Sequence, residues 1–383
     1  MSEIRVDSIG NESNTGGPVL SGITEFSGQK YFIPPKGTTA ERPSDCPPGS
    51  IRFNTDTAHL EYWQGTVWLE FEASSEELGN QLVSNSAGGT GYRALFAGGY
   101  TSPTNRTDID YVTISTLGNA QDFGDLSTAG AYRTGASSST RGIFFNAQND
   151  TGIEFVTISS TGSTASFGST DNDYNQAASC SNETRGFRAG GSDAGTTFNN
   201  IFYVTIATTG TFSDFGDISN PTQGRLTFAG VNSSVRGVFA GGRSNPSAPA
   251  ETNIIDYITM SSTGNTLDFG DLTDGRRHAA AACNSTRGVF AGGNPNPGST
   301  NLIDYITIAT TGNAQDFGDL AVASSAGHQG LASSPTRGLF QQGNPSAIEF
   351  ITIPTTGNAQ DFGDAVNASR IAMGAVSNGH GGL

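Results

Sequence analysis

Short apolar runs recur along most of this chain at one period, separated by turns of Asn, Ser, Thr and Gly. The fifth copy reads Thr286-Arg287-Gly288-Val289-Phe290-Ala291-Gly292-Gly293, then Ile303-Asp304-Tyr305-Ile306-Thr307-Ile308, then Gln315-Asp316-Phe317-Gly318-Asp319. The arginine that opens each copy falls at 93, 141, 185, 236, 287 and 337, spacings of 48, 44, 51, 51 and 50 residues. A period of that size marks a repeat architecture, because one such unit cannot bury its own apolar face.

Each copy predicts four strands, a to d. From the fourth copy into the fifth these are His278–Cys283 (a), Arg287–Gly292 (b), Ile303–Ala309 (c) and Ala314–Phe317 (d). Asn284-Ser285-Thr286 separates a from b, and Thr311-Gly312-Asn313 separates c from d. Strand c recurs as Ile109–Ile114, Ile153–Ile158, Ile201–Ile206, Ile255–Met260, Ile303–Ile308 and Ile348–Ile353, always with Tyr or Phe third and Thr fifth. Such residues at matched places suit a sheet packed on both faces. Asp-Phe-Gly-Asp reads as a closing turn whose Phe wedges between neighbouring units.

Strand b ends in Ala-Gly-Gly at Ala97–Gly99, Ala189–Gly191, Ala240–Gly242 and Ala291–Gly293, which allows positive φ or close backbone approach. With the preceding Arg/His-plus-Ala strand, this resembles the kelch repeat of β-propellers. Kelch carries a Trp in its outer strand, where this chain has Phe123, Phe167, Phe215, Phe269, Phe317 and Phe362. The resemblance therefore implies architecture, not kelch function. The first copy starts at strand b (Tyr92-Arg93-Ala94-Leu95-Phe96), and the chain ends in a strand a, Arg370–Val376. The expected fold is all-β: a six-bladed kelch-like β-propeller closed by its terminal strands.

Residues 1–71 lack the repeat. A Pro-rich stretch leads into Gly49–Phe71, which predicts a meander of three short strands with turns at Asn54–Thr57 and Gln64–Thr66. Such an extended and hairpin segment cannot form much core alone. Ile51, Phe53, Tyr62, Trp63 and Trp68 are therefore the candidates for anchoring or oligomerisation. The opening Ile4-Arg5-Val6-Asp7-Ser8-Ile9 and the hairpin Gly49–Phe71 resemble the N-terminal regions of tailed-phage fibre and virion appendage proteins, notably of cyanophages. Repeats carrying Asp-Tyr-Ile-Thr-Ile and Gly-Asn-Ala-Gln-Asp-Phe-Gly-Asp are similar to those of cyanophage structural proteins. The resemblance implies a virion-anchoring segment over 1–71 and a homotrimer; Glu72, Glu76, Glu77 and Gly88-Gly89 read as a short helix or linker over 72–90, and the repeats place the propeller over 91–383.

Net charge is −16 with only 14% charged residues, and no Lys/Arg cluster offers a stripe for nucleic acid. No apolar run approaches the roughly 20 residues of a transmembrane helix, so membrane insertion is not expected. Met1-Ser2-Glu3-Ile4-Arg5-Val6 lacks an apolar signal region, so the expectation is folding in the cytoplasm of the cell that makes it; residence in the virion is what the resemblance implies. The three cysteines, Cys46, Cys180 and Cys283, read as small buried hydrophobes.

Little catalytic chemistry stands out, and neither enzymatic activity nor a cofactor is expected. Asp-Phe-Gly recurs without the phosphate loop or catalytic loop of a kinase. The carboxylates Asp110, Glu154, Asp256, Asp304 and Glu349 repeat in strand c, which marks them as scaffold rather than a glycosidase pair. His278 and His328 occupy equivalent positions where other copies have Tyr132, Gln176 and Thr227, a polar rim rather than a metal site.

The a–b and c–d turns are short and uniform, whereas the b–c and d–a loops vary. Variation confined to one face points to recognition there. The candidates are Arg133, Arg225, Arg277, His278 and His328, donors suited to a host surface polysaccharide. The expected function is a phage tail fibre or spike held to other virion proteins through residues 1–71. The alternative is a neck or capsid decoration in which the propeller is a structural module.

Overall fold

The computed structural model describes residues 34–57, 59–70, 91–218, 224–244, 251–324, 329–341, 346–367 and 369–383. The expected linker 72–90, the opening motif at residues 4–9, and His328 lie outside the described residues. The chain divides into two compact units, Met1–Gly79 and Asn80–Leu383.

In the second unit, almost every described element is a β-strand, arranged mostly as four-stranded antiparallel sheets compatible with a β-propeller. The fifth repeat is representative: Ala280–Cys283, Arg287–Ala291, Leu302–Thr307 and Gln315–Asp319 pair in that order. Strand a is buried throughout and strand b nearly so, whereas d buries little beyond its Phe. Strand c alternates, with Ile303, Asp304 and Ile306 inside and Thr307 exposed. This gradient from double-sided burial to an outer edge explains why a and b are rich in Ala, Gly and Val. The first sheet takes its strand a from the C-terminus: Gly374–Ser377 pairs with Arg93–Ala97, Gly374 opposite Ala97. In the sixth repeat, Gln329–Gly330 runs parallel to the C-terminal strand, and Arg337–Gln341, Ala347–Thr352 and Gln360–Asp364 complete a shorter sheet.

The Asp-Phe-Gly-Asp motif is not a turn. It forms strand d itself, which extends to Asp319 rather than ending at Phe317. A bulge between Ile303 and Asp304 shifts the c–d register so that Gly318 lies opposite Ile303. Gly318 has φ +144°, and a Cβ there would sit 2.6 Å from the Gly357 carbonyl of the next repeat. That close approach is what the glycine permits. The wedge role of the phenylalanine holds: Phe317 is buried, meets Tyr305 of its own repeat edge-on at 5.9 Å, and shares a core cluster with Phe340, Ile351 and Ile353 of the next repeat.

The arginine that opens strand b joins adjacent sheets. Its guanidinium lies over the strand-c aromatic of its own repeat, Arg93 on Tyr111 at 4.5 Å and Arg287 on Tyr305 at 4.4 Å. Its Nη1 donates to a carbonyl at the end of strand c in the next repeat: Arg93 to Ile158 (3.1 Å), Arg185 to Met260 (2.9 Å) and Arg287 to Ile353 (2.8 Å). The sixth of these, Arg337, donates to Ile114 of the first repeat at 3.0 Å. Backbone bonds follow the same order, Gly162 N to Phe123 O at 2.7 Å and Gly118 N to Phe362 O at 2.9 Å.

In the first unit, Lys36–Gly37, Ile51–Asn54, His59–Trp63 and Trp68–Glu70 form one small sheet. Its strands meet Arg52 to Glu61 and Trp63 to Trp68 in register.

Replacing Arg287 with Ala removes both the hydrogen bond to Ile353 and the stacking on Tyr305. Stability should fall by about 1–3 kcal/mol. Urea unfolding should show a lower midpoint at unchanged slope.

Candidate functional site

The start of strand a gathers one residue from each of five repeats at a common end of the sheets. Tyr132, Gln176, Thr227, His278 and Ala372 all hold positive φ, between 55° and 62°. Non-glycine residues there carry strain of about 1–2 kcal/mol each. A hydrogen-bond series between neighbouring repeats offsets it. Tyr132 N donates to Ala372 O (2.8 Å), Gln176 N to Tyr132 O (3.2 Å), Thr227 N to Gln176 O (2.7 Å) and His278 N to Thr227 O (2.8 Å). The Tyr132 and His278 rings, three repeats apart in sequence, come within 6.3 Å.

The b–c and d–a loops meet at this end: Tyr100 bridges Ile371, Asn175 bridges Ser192, Leu226 bridges Arg243 and Arg277 bridges Asn294. Arg277 is about a quarter exposed, with Nε 3.5 Å from the Glu251 carboxylate. Burial, with the guanidiniums of Arg277 and Arg243, pushes the His278 imidazole down to about 4, so it is neutral near pH 7. The arrangement offers neutral hydrogen-bonding groups, an aromatic ring and a partly compensated cation. Among the described residues no group of three His, Cys, Asp or Glu is placed to hold a metal.

Two of the expected binding arginines are not at this surface. Arg133 and Arg225 are fully buried. Arg133 pairs with Asp150 and lies 3.5 Å from Glu154, and Arg225 pairs with Asp256 at 3.1 Å. A guanidinium so placed answers the strand-c carboxylate of its own sheet and is unavailable to a ligand. Arg276 and Arg370, which the sequence reading passed over, do the same, binding Asp304 at 2.8 Å and Asp110 at 2.7 Å. A signal existed: Arg225, Arg276 and Arg370 each stand two residues before the positive-φ residue. Arg277, one residue on, points the other way and stays partly open.

The third repeat rearranges this pair. Phe202 occupies the carboxylate position and Tyr174 the arginine position, while strand b supplies Arg188 opposite Phe202. The buried Arg188 stacks 4.2 Å over Tyr174 and donates to the Tyr174 and Gly190 carbonyls. Burial lowers its pKa to about 9, against the weaker opposing pull of Tyr174 and Asp173.

The opposite end of the sheets is occupied by the C-terminal tail. His380 is 2% exposed. Its Nδ1 accepts from Asn232 Nδ2 (3.1 Å) and Gly382 N (3.2 Å), so the proton sits on Nε2, which donates to Ser137 O (3.1 Å). Ser181 Oγ lies 3.1 Å from the same Nε2. One imidazole thus ties the last strand-a residues of three repeats. Nothing in the repeat pattern marked this residue, because the tail lies outside the period.

Cys180 and Cys283 are free and buried, and burial raises both thiols, Cys283 to about 11. Cys46 is only partly buried, unlike the other two.

The anchor candidates divide between two faces. Arg52, Asn54 and Glu61 lie buried on one, with Trp63 and Trp68 packed 5.6 Å apart. Ile51, Phe53 and Tyr62 lie on the other.

No family model matches the chain, and no curated protein matches it. Among solved structures, the one titled "Structure of YjhT" is similar at 11% identity and a TM-score of 0.48, over 59% of this chain and 82% of that one. A likeness that weak adds nothing to the reading of the site.

Two measurements follow. Asp304→Ala strands the buried Arg276 and should cost about 3–5 kcal/mol, whereas Arg277→Ala beside it should cost under about 1 kcal/mol; paired urea titrations separate them. Acid should also weaken the fold through His380. Its folded pKa, about 4, lies below the ordinary imidazole value of 6.5. The unfolded chain therefore binds the extra proton between those values. Stability is whole above 6.5 and declines by about 3 kcal/mol as pH falls toward 4. His380→Gln should start less stable at about pH 7 and show a shallower decline toward about pH 4.5.

Proposed function

We propose that this chain is a structural protein of a tailed-phage virion, a tail fibre or spike. Its N-terminal segment joins other virion proteins or copies of itself, as a homotrimer. The repeat unit is a six-bladed β-propeller whose first blade is completed by the C-terminal strand. It binds a host-surface saccharide without chemical conversion.

Closure into six blades is supported by the bonds from the sixth repeat to the first, Arg337 to Ile114 and Gly118 to Phe362. The observation that carries the binding reading is the contrast between the two ends of the sheets. One end has uniform turns and a tail locked by His380. The other has loops of differing length around Tyr132, Gln176, Thr227, His278 and Arg277. Scaffolded loops of that kind carry recognition. Absence of catalysis is the simpler reading because four strand-c carboxylates, Asp110, Glu154, Asp256 and Asp304, are committed to buried arginines.

A second reading, a neck or capsid decoration with the propeller as spacer, is favoured by one observation. Burial of Arg133 and Arg225 leaves the loop face fewer cations than its sequence promised.

Purified full-length chain should compete with phage for adsorption to host cells. Tyr132→Ala combined with Arg277→Ala should need at least about tenfold more protein for the same effect. Undiminished competition by that folded variant would remove this face, and absence of competition by the unaltered chain would favour the decoration reading.

A further inference from the structure

The N-terminal sheet is built inside out. Its polar face is the covered one: Glu61, wholly buried, accepts from Arg42 Nη2 (2.6 Å) and Asn54 Nδ2 (3.2 Å) and lies 3.5 Å from Arg52. Burial alone would raise the Glu61 carboxyl, but those hydrogen bonds and charges hold it below its ordinary value. The preceding loop closes over this face, with Arg52 Nη2 donating to Thr38 O (3.1 Å) and Trp68 Nε1 to Pro43 O (3.2 Å).

Register puts the apolar residues on the other face. Ile51 lies opposite Tyr62, Phe53 opposite Leu60, and Tyr62 opposite Leu69. Ile51 is 51% exposed, Leu60 41% and Leu69 36%, with Phe53 and Tyr62 half-buried. Among the described strand residues, only Lys36, at the Lys36–Gly37 edge and opposite Phe53, brings a charge to this side. Among the described residues, the exposed large apolar residues of the repeat unit, such as Leu117, Val235, Leu267, Val322 and Val366, are far apart in sequence and form no comparable row there.

We propose that this face is a self-association surface, packed against the same face of two further copies of the chain about a threefold axis. Charge argues for that occupant. In a chain of net charge −16, a face to which the described strand residues bring no carboxylate is where copies meet with the least repulsion. Its apolar character also asks for an equally apolar counterpart, and every copy carries one. The patch is on the order of 400 Å², at the size where a monomer's largest patch is functional. That is about half of the roughly 800 Å² that a standard interface takes from each partner. The contact alone therefore gives a concentration-dependent association, with a Kd between about 1 µM and 1 mM. The proposal rests on reading this segment as an oligomerising anchor and names the face that does the work.

Sedimentation of the full-length chain over that concentration range tests it. The unaltered chain should shift from monomer to a larger species. Leu60→Glu with Leu69→Glu should remain monomeric at least about tenfold higher in concentration, while Leu60→Met should behave like the unaltered chain. Both sites are exposed, and the urea transition of the glutamate variant should match that of the parent. Should that variant unfold, Ile51→Thr with Leu69→Thr serves in its place and must weaken association. An unaltered chain that stays monomeric to about 1 mM overturns the proposal, as does a folded variant that associates normally. If the monomeric chain still enters particles only when this face is intact, another virion protein covers it; the anchor reading then stands while self-association fails.

Discussion

The arginine at the head of each second strand is the contact on which the rest of the repeat unit depends. It needs an aromatic platform, which fixes the third residue of strand c, and an aligned carbonyl in the next repeat, which fixes the spacing between sheets. The stack distances stay within 4.4–4.9 Å across all six repeats. The same aromatic receives the strand-d phenylalanine edge-on, so three strands answer to one side chain. The sequence between these points is free to vary, and in the b–c and d–a loops it does.

Behind that outer contact lies a second, buried one. Four strand-c carboxylates inside the sheets, Asp110, Glu154, Asp256 and Asp304, are answered by a buried arginine, since an uncompensated charge there is costly. The position of the cation is less constrained than its presence. Arg225, Arg276 and Arg370 approach from the d–a loop two residues before the positive-φ position. Arg133 comes from the residue after it. Where Phe202 replaces the carboxylate, the arginine moves to strand b and stacks on Tyr174. Such exchange is what packing requires when the hole is conserved in shape but can be filled from either side.

The two ends of the sheets are thereby given different characters. Uniform turns and the His380 tail make one end a sealed structural surface. At the other, strained backbone at Tyr132, Gln176, Thr227 and His278 is held by bonds between neighbouring repeats, and the loops above it meet across their own bridges. The N-terminal unit follows another logic, burying an ion network and leaving its apolar side outward.

Period, strand class and the matched aromatic positions were legible in the sequence, because each repeat faces the same local packing problem and answers with the same residue types. The C-terminal supply of the first strand a was legible for the same reason, as a phase in the repeat. The course of Asp-Phe-Gly-Asp was not: its composition suits a turn, and only the bulge at Asp304 and the backbone of the next repeat make it a strand. Nor could sequence separate Arg276 from Arg277, because burial depends on which side of the strand each side chain leaves. Tertiary structure alone decided the role of His380, whose partners lie about 150 to 240 residues away along the chain. It also decided which face of the Trp63–Trp68 hairpin is covered, since alternation defines two faces but not which one the preceding loop will close.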